Sequence, residues 1–304
     1  MPELPEVETV RRGLEPVLLS ARITRVEQCR PDLRFPFPEG FAVRLEGQVV
    51  TSLERRSKYI LVRLSGGEVL VIHLGMTGRL LITPPSQTAK TRSGVMSAPY
   101  VLGDYVYDTG ADPKHDHAVL HLESGAAVTY NDPRRFGFML LINAGELPGH
   151  PVFKSLGVEP LSDALTPDYI SRRAWRRKTD LKAFLMDQRH VAGLGNIYVC
   201  EALFRCGLSP LSSASRLAGR NGLPNARSQT LVPVIREVLS EAIIAGGSTL
   251  RDYRHADGAS GQFQEDFRVY GREGLACVRD GCTGTVRRSV QSGRSTFWCP
   301  KCQK

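Results

Sequence analysis

The sequence predicts an α+β chain of two lobes. An antiparallel β-sandwich or barrel with a flanking helix comes first, and a helical half ending in a four-cysteine zinc ribbon follows. Three observations carry this reading. Short apolar or alternating runs separated by glycine-containing turns fill the first half of the 304 residues. Runs of helical period fill the second half. Two close cysteine pairs frame a hairpin-length segment at the end.

The opening element reads as a helix. Val7, Val10, Leu14, Val17 and Leu18 fall on one face of a 3.6-residue period, giving a helix from about Pro5 to Leu18. Pro5 suits a first turn, where its missing N–H costs nothing. Glu6 and Glu8 stand where the helix dipole favours negative charge. Pro2 and Glu3 lie ahead of this helix, and the helix does not explain them.

Strands follow: "KYILVRL", "GEVLVIHL", "GRLLI", "AVLHLES", "AAVTYND" and "GFMLLI", with turns at "SGGE", "GMTG" and "ESGA". No helical period separates them, which argues for antiparallel pairing. Residues 83–113, rich in Pro, Ser, Thr and Gly, read as a solvent-exposed insertion. The change of character falls near "NAGELPGHPVFKSLGVEP". Beyond it, "PDYISRRAWRRKTD", "LKAFLMDQ", "NIYVCEALFRCG" and "ARSQTLVPVIREVLSEAIIAGG" read as helices, and the glycine-rich polar stretch 246–267 as a mobile loop.

Cys277, Cys282, Cys299 and Cys302 give C-x4-C-x16-C-x2-C. Four thiolates in two close pairs can close a tetrahedral zinc site with no open position, so the expected metal is one structural zinc. "TVRRSVQSGRSTFW" between the pairs alternates about a "QSGR" turn, as a hairpin does. The remaining cysteines, Cys29, Cys200 and Cys206, are expected as core thiols.

Composition bounds the partners. The net charge is +9 and the pI about 9.3, an excess that points to a polyanion such as nucleic acid. Nothing approaches the ~18 apolar residues of a membrane span. The acidic, proline-broken start does not read as a signal peptide, so an intracellular protein with reduced cysteines is expected.

Seven motifs occur in one order: "PELPEVETVRRGLEP", "RRSKYILVRL", "HLGMTGRL", "KHDH", "NDPRRFGF", "LMDQRHVAGLGNIYVCEALF" and "VYGREG". Followed by the cysteine ribbon, they closely resemble bacterial formamidopyrimidine-DNA glycosylase over nearly the whole chain. The resemblance implies a β-sandwich catalytic domain (1–150), a helix–two-turn–helix DNA-binding domain with a lesion-covering loop (151–268) and a zinc-ribbon finger (269–304). It implies a cytoplasmic bacterial monomer that binds double-stranded DNA containing oxidised purines or abasic sites between its lobes. The activity implied is excision of 8-oxoguanine and formamidopyrimidines, then strand cleavage by β- and δ-elimination. No redox or nucleotide cofactor is implied.

The resemblance also assigns roles. Removal of Met1 would expose the Pro2 amine as nucleophile. An α-amine with a pKa near ~8 is usefully neutral where a lysine near ~10.4 is not. Glu3 would be the general acid and Glu6 a further carboxylate of the site. Lys58 would assist β-elimination, and Arg294 of the finger would serve δ-elimination. Met76, Arg134 and Phe136 would fill the gap left by the flipped base. His115, Arg135, Arg177, Lys182 and Asn196 would contact the DNA backbone. Two other readings compete: an endonuclease VIII-like enzyme for oxidised pyrimidines, and a non-catalytic zinc-ribbon DNA-binding protein. "PELPE" with "DPRRF" favours the purine branch, and Pro2, Glu3 and Lys58 favour an enzyme.

Overall fold

The computed structural model describes residues 2–85, 111–248 and 262–304. Most of the 83–113 insertion and of the 246–267 loop lies outside the described residues. Contacts divide the chain into two units: Met1–His150 with Gly246–Gln262, and Pro151–Ala245 with Phe263–Lys304. The chain thus leaves the first unit after His150 and rejoins it at Gly246.

The first unit begins with helix α1 (Leu4–Leu18), whose N-cap is Glu3 and whose first turn holds Pro5. Its stripe of Val7, Val10, Leu14 and Leu18 is buried. Strands β1 (Ile23–Gln28), β2 (Val50–Arg56), β3 (Tyr59–Leu64), β4 (Glu68–His73), β5 (Arg79–Thr83), β6 (Asp116–Leu122), β7 (Ala127–Asn131) and β8 (Phe138–Asn143) follow, with the one-turn helix α2 (Phe41–Leu45) after β1. They form two antiparallel four-stranded sheets among the described residues, ordered β1-β6-β7-β5 and β2-β3-β4-β8. One apolar cluster takes Val7, Val10 and Leu14 from α1, Ile60 and Val62 from β3, Leu70 and Ile72 from β4, and Leu120, Val128 and Tyr130 from β6 and β7. Side chains from both sheets and the helix meeting in a single core make this a sandwich.

The second unit carries α3 (Pro167–Ala174), α4 (Leu181–Met186), α5 (Asn196–Arg205) and α6 (Ala226–Ile244). Thr166, Asp180 and Asn225 cap α3, α4 and α6 by accepting from first-turn N–H groups. Their core holds Ile170, Phe184, Leu203 and Leu239. The unit ends in the hairpin β9 (Arg287–Gln291) and β10 (Arg294–Trp298). Ser292 and Gly293 turn it with φ 48° and 72°, the left-handed pair that a two-residue hairpin loop needs. No helix among the described residues is long and apolar enough to cross a membrane.

One expectation about the thiols is corrected. Cys200 is buried and Cys206 half-buried, but Cys29 is exposed at the end of β1. It stands at the edge of the unit and outside the core.

Candidate functional site

The start of the chain is folded in. Pro2 is buried, and Glu3 and Glu6 are each 3% exposed. As the N-cap of α1, Glu3 has extended backbone and donates its N–H to Glu6 Oε2 at 2.8 Å. A carboxylate three residues into a helix reaching back to the cap N–H is half of a capping box. Glu6 Oε1 accepts both the N–H (2.9 Å) and the hydroxyl (3.0 Å) of Ser248. Glu3, which the sequence placed ahead of the helix, is therefore the residue that starts it. Its neighbour Pro2 is buried just ahead of that cap.

Lys58 reaches burial by another route. Arg56 pairs with Tyr59 across β2 and β3, so Ser57 and Lys58 form a two-residue turn. Ser57 sits at φ 56°, a left-handed conformation uncommon for a residue with a side chain. Arg55 Nη1 donates to its carbonyl at 3.0 Å. The turn leaves Lys58 only 6% exposed. His73, which the sequence did not single out, ends β4 and stacks on Phe138 with centroids 4.9 Å apart. Burial, and then the charge of Lys58, push its pKa down to about 4. His73 is neutral, and its Nδ1 accepts the Gly75 N–H at 3.1 Å.

Two loops carry Met76, Arg134 and Phe136, and one buried carboxylate joins them. Asp132 is fully buried. Its Oδ1 accepts from Thr77 Oγ1 at 2.5 Å and from the Arg134 N–H at 3.3 Å, and its Oδ2 accepts the Gly137 N–H at 2.9 Å. The loops touch through backbone. A Cβ on Gly75 would lie 2.3 Å from Gly137 N, and one on Gly137 would lie 1.8 Å from the Tyr130 hydroxyl. Gly75 also has φ 62°, so it serves both the turn and the close approach. The product is an exposed trio: Met76 at 37%, Phe136 at 43%, and the Arg134 guanidinium 4.7 Å above the Phe136 ring. Nearby, Asp132 donates its N–H to the His115 carbonyl at 3.0 Å, which sets half-buried His115 beside the same loop. His117, two residues on, is the buried histidine of "KHDH", bonded to the Asp132 carbonyl at 2.8 Å. Arg135, at φ 54°, is exposed and pairs with Asp32 at 3.4 Å.

In the second unit Gln188 shapes the two turns between α4 and α5. It accepts the Gly193 N–H at 2.7 Å and donates to the Met186 and Leu194 carbonyls at 2.9 and 2.7 Å. Gly195 then caps α5 with extended backbone and no side-chain bond. Asn196 is half-buried and donates to the Ser295 carbonyl at 2.9 Å and the Tyr270 hydroxyl at 3.3 Å. Arg177 is exposed, its Nε donating to the Arg173 carbonyl at 3.3 Å. Lys182 differs from the sequence expectation. It is 1% exposed and donates to Thr296 Oγ1 at 2.6 Å and to the Ser295 carbonyl at 3.1 Å. The side chain lies against β10 rather than at the surface. A second buried charge also escaped the sequence reading. Glu201, pushed up in pKa by burial, accepts the N–H groups of Arg268, Val269 and Tyr270 at 2.9–3.2 Å. A lone glutamate inside the apolar "NIYVCEALF" was the signal for it.

The four ribbon thiols converge. Their sulfurs all lie within 4.8 Å of one another, with Cys277–Cys302 and Cys282–Cys299 each at 3.7 Å. A tetrahedron with ~2.3 Å metal–sulfur bonds has edges of about 3.7 Å, so the donor set fits zinc. The longer first knuckle does not spoil this. Gly284 N–H points at Cys282 Sγ at 3.4 Å, and a Cβ there would lie 2.6 Å from Cys299 Sγ. Burial raises the Cys299 pKa, but N–H groups of Cys302 and Lys301 outweigh it and bring the thiol to about 7. Arg294, opposite Gln291 at the hairpin tip, is exposed.

A sandwich whose first residues are folded into a carboxylate-lined turn, with a helix–turn–turn–helix element and a thiol ribbon, defines the class of helix–two-turn–helix DNA glycosylases. Residues 1–139 match the formamidopyrimidine-DNA glycosylase N-terminal domain, and residues 156–254 match its H2TH domain. The chain belongs to the formamidopyrimidine-DNA glycosylase family. Proteins named formamidopyrimidine-DNA glycosylase from Cereibacter sphaeroides and Chelativorans sp. are 57% and 54% identical to it, each aligned over 100% of both chains. Among solved structures, the MutM (Fpg) protein of Thermus thermophilus is similar at 38% identity and TM-score 0.78, covering 99% of this chain and 98% of that one. Lactococcus lactis Fpg in complex with abasic-site DNA is similar at 29% identity and TM-score 0.80, covering 99% of each chain. The wild-type Lactococcus lactis enzyme with N7-benzyl-Fapy-dG DNA is similar at 29% and 0.80, covering 100% of each.

Proposed function

We propose that this protein excises oxidised purines, 8-oxoguanine and formamidopyrimidines, from duplex DNA and cuts the strand at the abasic site it makes. Once Met1 is removed, the Pro2 nitrogen attacks C1′ of the damaged nucleotide. The glycosidic bond breaks with its electron pair leaving on the base, and Glu3 supplies a proton to the opening sugar. The resulting iminium is an electron sink. Loss of a C2′ proton, assisted by Lys58, expels the 3′-phosphate; a second elimination, served by Arg294, expels the 5′-phosphate. Water then releases Pro2.

The observation that carries this reading is the enclosure of the chain start. Pro2 and Glu3 are buried, and Glu6 fixes the turn between them and α1. A residue so close to a chain end is ordinarily loose. The exposed trio of Met76, Arg134 and Phe136 supports base flipping, in which a vacated stack must be filled. The glycine-capped start of α5 supports phosphate binding. Cys277, Cys282, Cys299 and Cys302 are the residues to hold one zinc, which supplies structural crosslinking of the finger. The site of action proposed is the bacterial cytoplasm.

Borohydride reduction on an abasic duplex tests the mechanism. A covalent protein–DNA adduct mapping to Pro2 is expected. Strand cleavage without a trappable adduct, or an adduct on Lys58, overturns it. Excision rates on 8-oxoguanine:C against thymine-glycol duplexes test the purine preference, which fails if the pyrimidine lesion is released faster.

A further inference from the structure

Lys182 is a lysine almost without contact to water, at 1% exposed, where the residue type is nearly always at the surface. It stands in the first turn of α4. Its Nζ donates to the Ser295 carbonyl and to Thr296 Oγ1, 3.1 and 2.6 Å away on β10. Asn196, in the first turn of α5, donates to the same Ser295 carbonyl at 2.9 Å. Side chains from two helices thus converge on the carbonyl of Ser295, the residue that follows Arg294.

The hairpin needs such anchors. A two-stranded ribbon is marginal alone, and β9 and β10 are largely exposed, with Thr296 the one buried position of the pair. At its base the ribbon is held by the thiol knuckles and by Phe297, whose ring meets Tyr270 edge-on at 5.0 Å. At its tip, Lys182 and Arg294 line one small cavity of about 200 Å³ together with Asp187. A buried ammonium costs more than an apolar side chain of similar size. What it adds is direction: two short donor bonds fix the rotation and height of one peptide unit.

We propose that Lys182 is a positioning residue for Arg294. Its ammonium holds the Ser295 peptide, and through it sets where the Arg294 guanidinium meets the 5′-phosphate during the second elimination. This rests on the assignment of Arg294 to δ-elimination above.

The test uses the full-length, zinc-loaded protein on an abasic duplex. Lys182→Met removes the donor, and Thr296→Val removes an acceptor of the same bond from the finger side. Products of β- and δ-elimination are resolved on a denaturing gel beside the rate of borohydride trapping. In both variants the δ-to-β product ratio is expected to fall, by up to about a hundred-fold if the group is misplaced by about 1 Å, and several times more than trapping falls. A parallel loss of trapping and of both products makes Lys182 merely structural and overturns the proposal. An unchanged ratio in folded, zinc-loaded protein overturns it as well. If Lys182→Met does not fold, Thr296→Val decides. Arg294→Ala is run alongside: an unchanged ratio there defeats the Arg294 assignment itself, a failure read separately from that of Lys182.

Discussion

Glu6 and Ser248 are 242 positions apart, yet one oxygen of the Glu6 carboxylate accepts both the N–H and the hydroxyl of Ser248. The other oxygen accepts the Glu3 N–H. A Cβ on Gly247 would lie 3.0 Å from the first of these oxygens, so the returning chain lies against the carboxylate with no side chain between. One buried charge therefore ties the turn after Pro2 to the point where the chain re-enters the first unit. Removing it strands buried donors, and each costs about 1–3 kcal/mol when left without an acceptor. Glu6→Ala is expected to lower stability by at least that amount in urea unfolding and to slow borohydride trapping. Trapping at the wild-type rate would separate Glu6 from the chemistry.

Gly137 is a prediction about space. A methyl group there would meet the Tyr130 hydroxyl at 1.8 Å and the His73 carbonyl at 2.5 Å. Tyr130 is fully buried and its hydroxyl donates to that same carbonyl at 3.1 Å, so neither atom can move aside cheaply. Gly137→Ala is expected to cost about 1–3 kcal/mol, the range for overpacked interiors. Adding Tyr130→Phe should restore part of it by deleting the nearer clash. A single variant that melts at the wild-type temperature would show that Gly137 does not lie this close to Tyr130 and the His73 carbonyl.

Much of this was legible in the residues, and the exceptions share a cause. β3, β4 and β8 are apolar runs, and β5, β6 and β7 approach alternation, so period alone finds them. β1, "ITRVEQ", and β2, "VTSLERR", bury only two positions each. Pairing with β6 and β3 makes them strands, and pairing is not written in one segment. α2 is a single turn held by Phe41 and Leu45 in the core. Pro2 and Glu3 stood out only through the family resemblance of the opening motif, whereas the ribbon cysteines were readable because spacing carries them. Lys182, Glu201 and Asp132 were not, because burial of a charge depends on partners far along the chain. Ser295 and Thr296 bury Lys182, the 268–270 backbone satisfies Glu201, and Thr77 shares Asp132.

His73 predicts a pH dependence. Burial and the Lys58 charge lower its pKa from 6.5 to about 4 in the folded protein. Between those values the unfolded chain binds a proton that the folded chain refuses, so stability rises with pH across the window. The contribution is complete above about 6.5 and is lost as pH falls toward 4, amounting to about 3 kcal/mol in all. His73→Asn can keep an acceptor for the Gly75 N–H but does not titrate. Its unfolding free energy is expected to start lower at pH 7 and to fall less between pH 7 and 5. Parallel pH curves for the two proteins would assign the dependence to other groups.

Metal removal reaches further than the ribbon. Cys299 is fully buried and packs with Cys200 and Phe204 of α5 and with Val269. The chain end is pinned alongside: Gln303 Nε2 donates to the Leu208 carbonyl at 2.8 Å, its Oε1 accepts the Cys299 N–H at 2.8 Å, and the Lys304 N–H reaches the Gly207 carbonyl at 2.9 Å. The thiol cluster thus sits on the C-terminal end of the helix whose other end is proposed to bind phosphate. Stripping the zinc removes the crosslink that keeps β10 under Asn196 and Lys182, because the hairpin has little core of its own. Chelation, or Cys299→Ser, is expected to release about one zinc per chain and to abolish tight DNA binding, while the sandwich keeps its far-ultraviolet signal. Zinc added to the chelated protein should restore binding, and to the serine variant should not. Cys299→Ser protein that held its zinc and bound DNA normally would defeat the four-thiolate assignment.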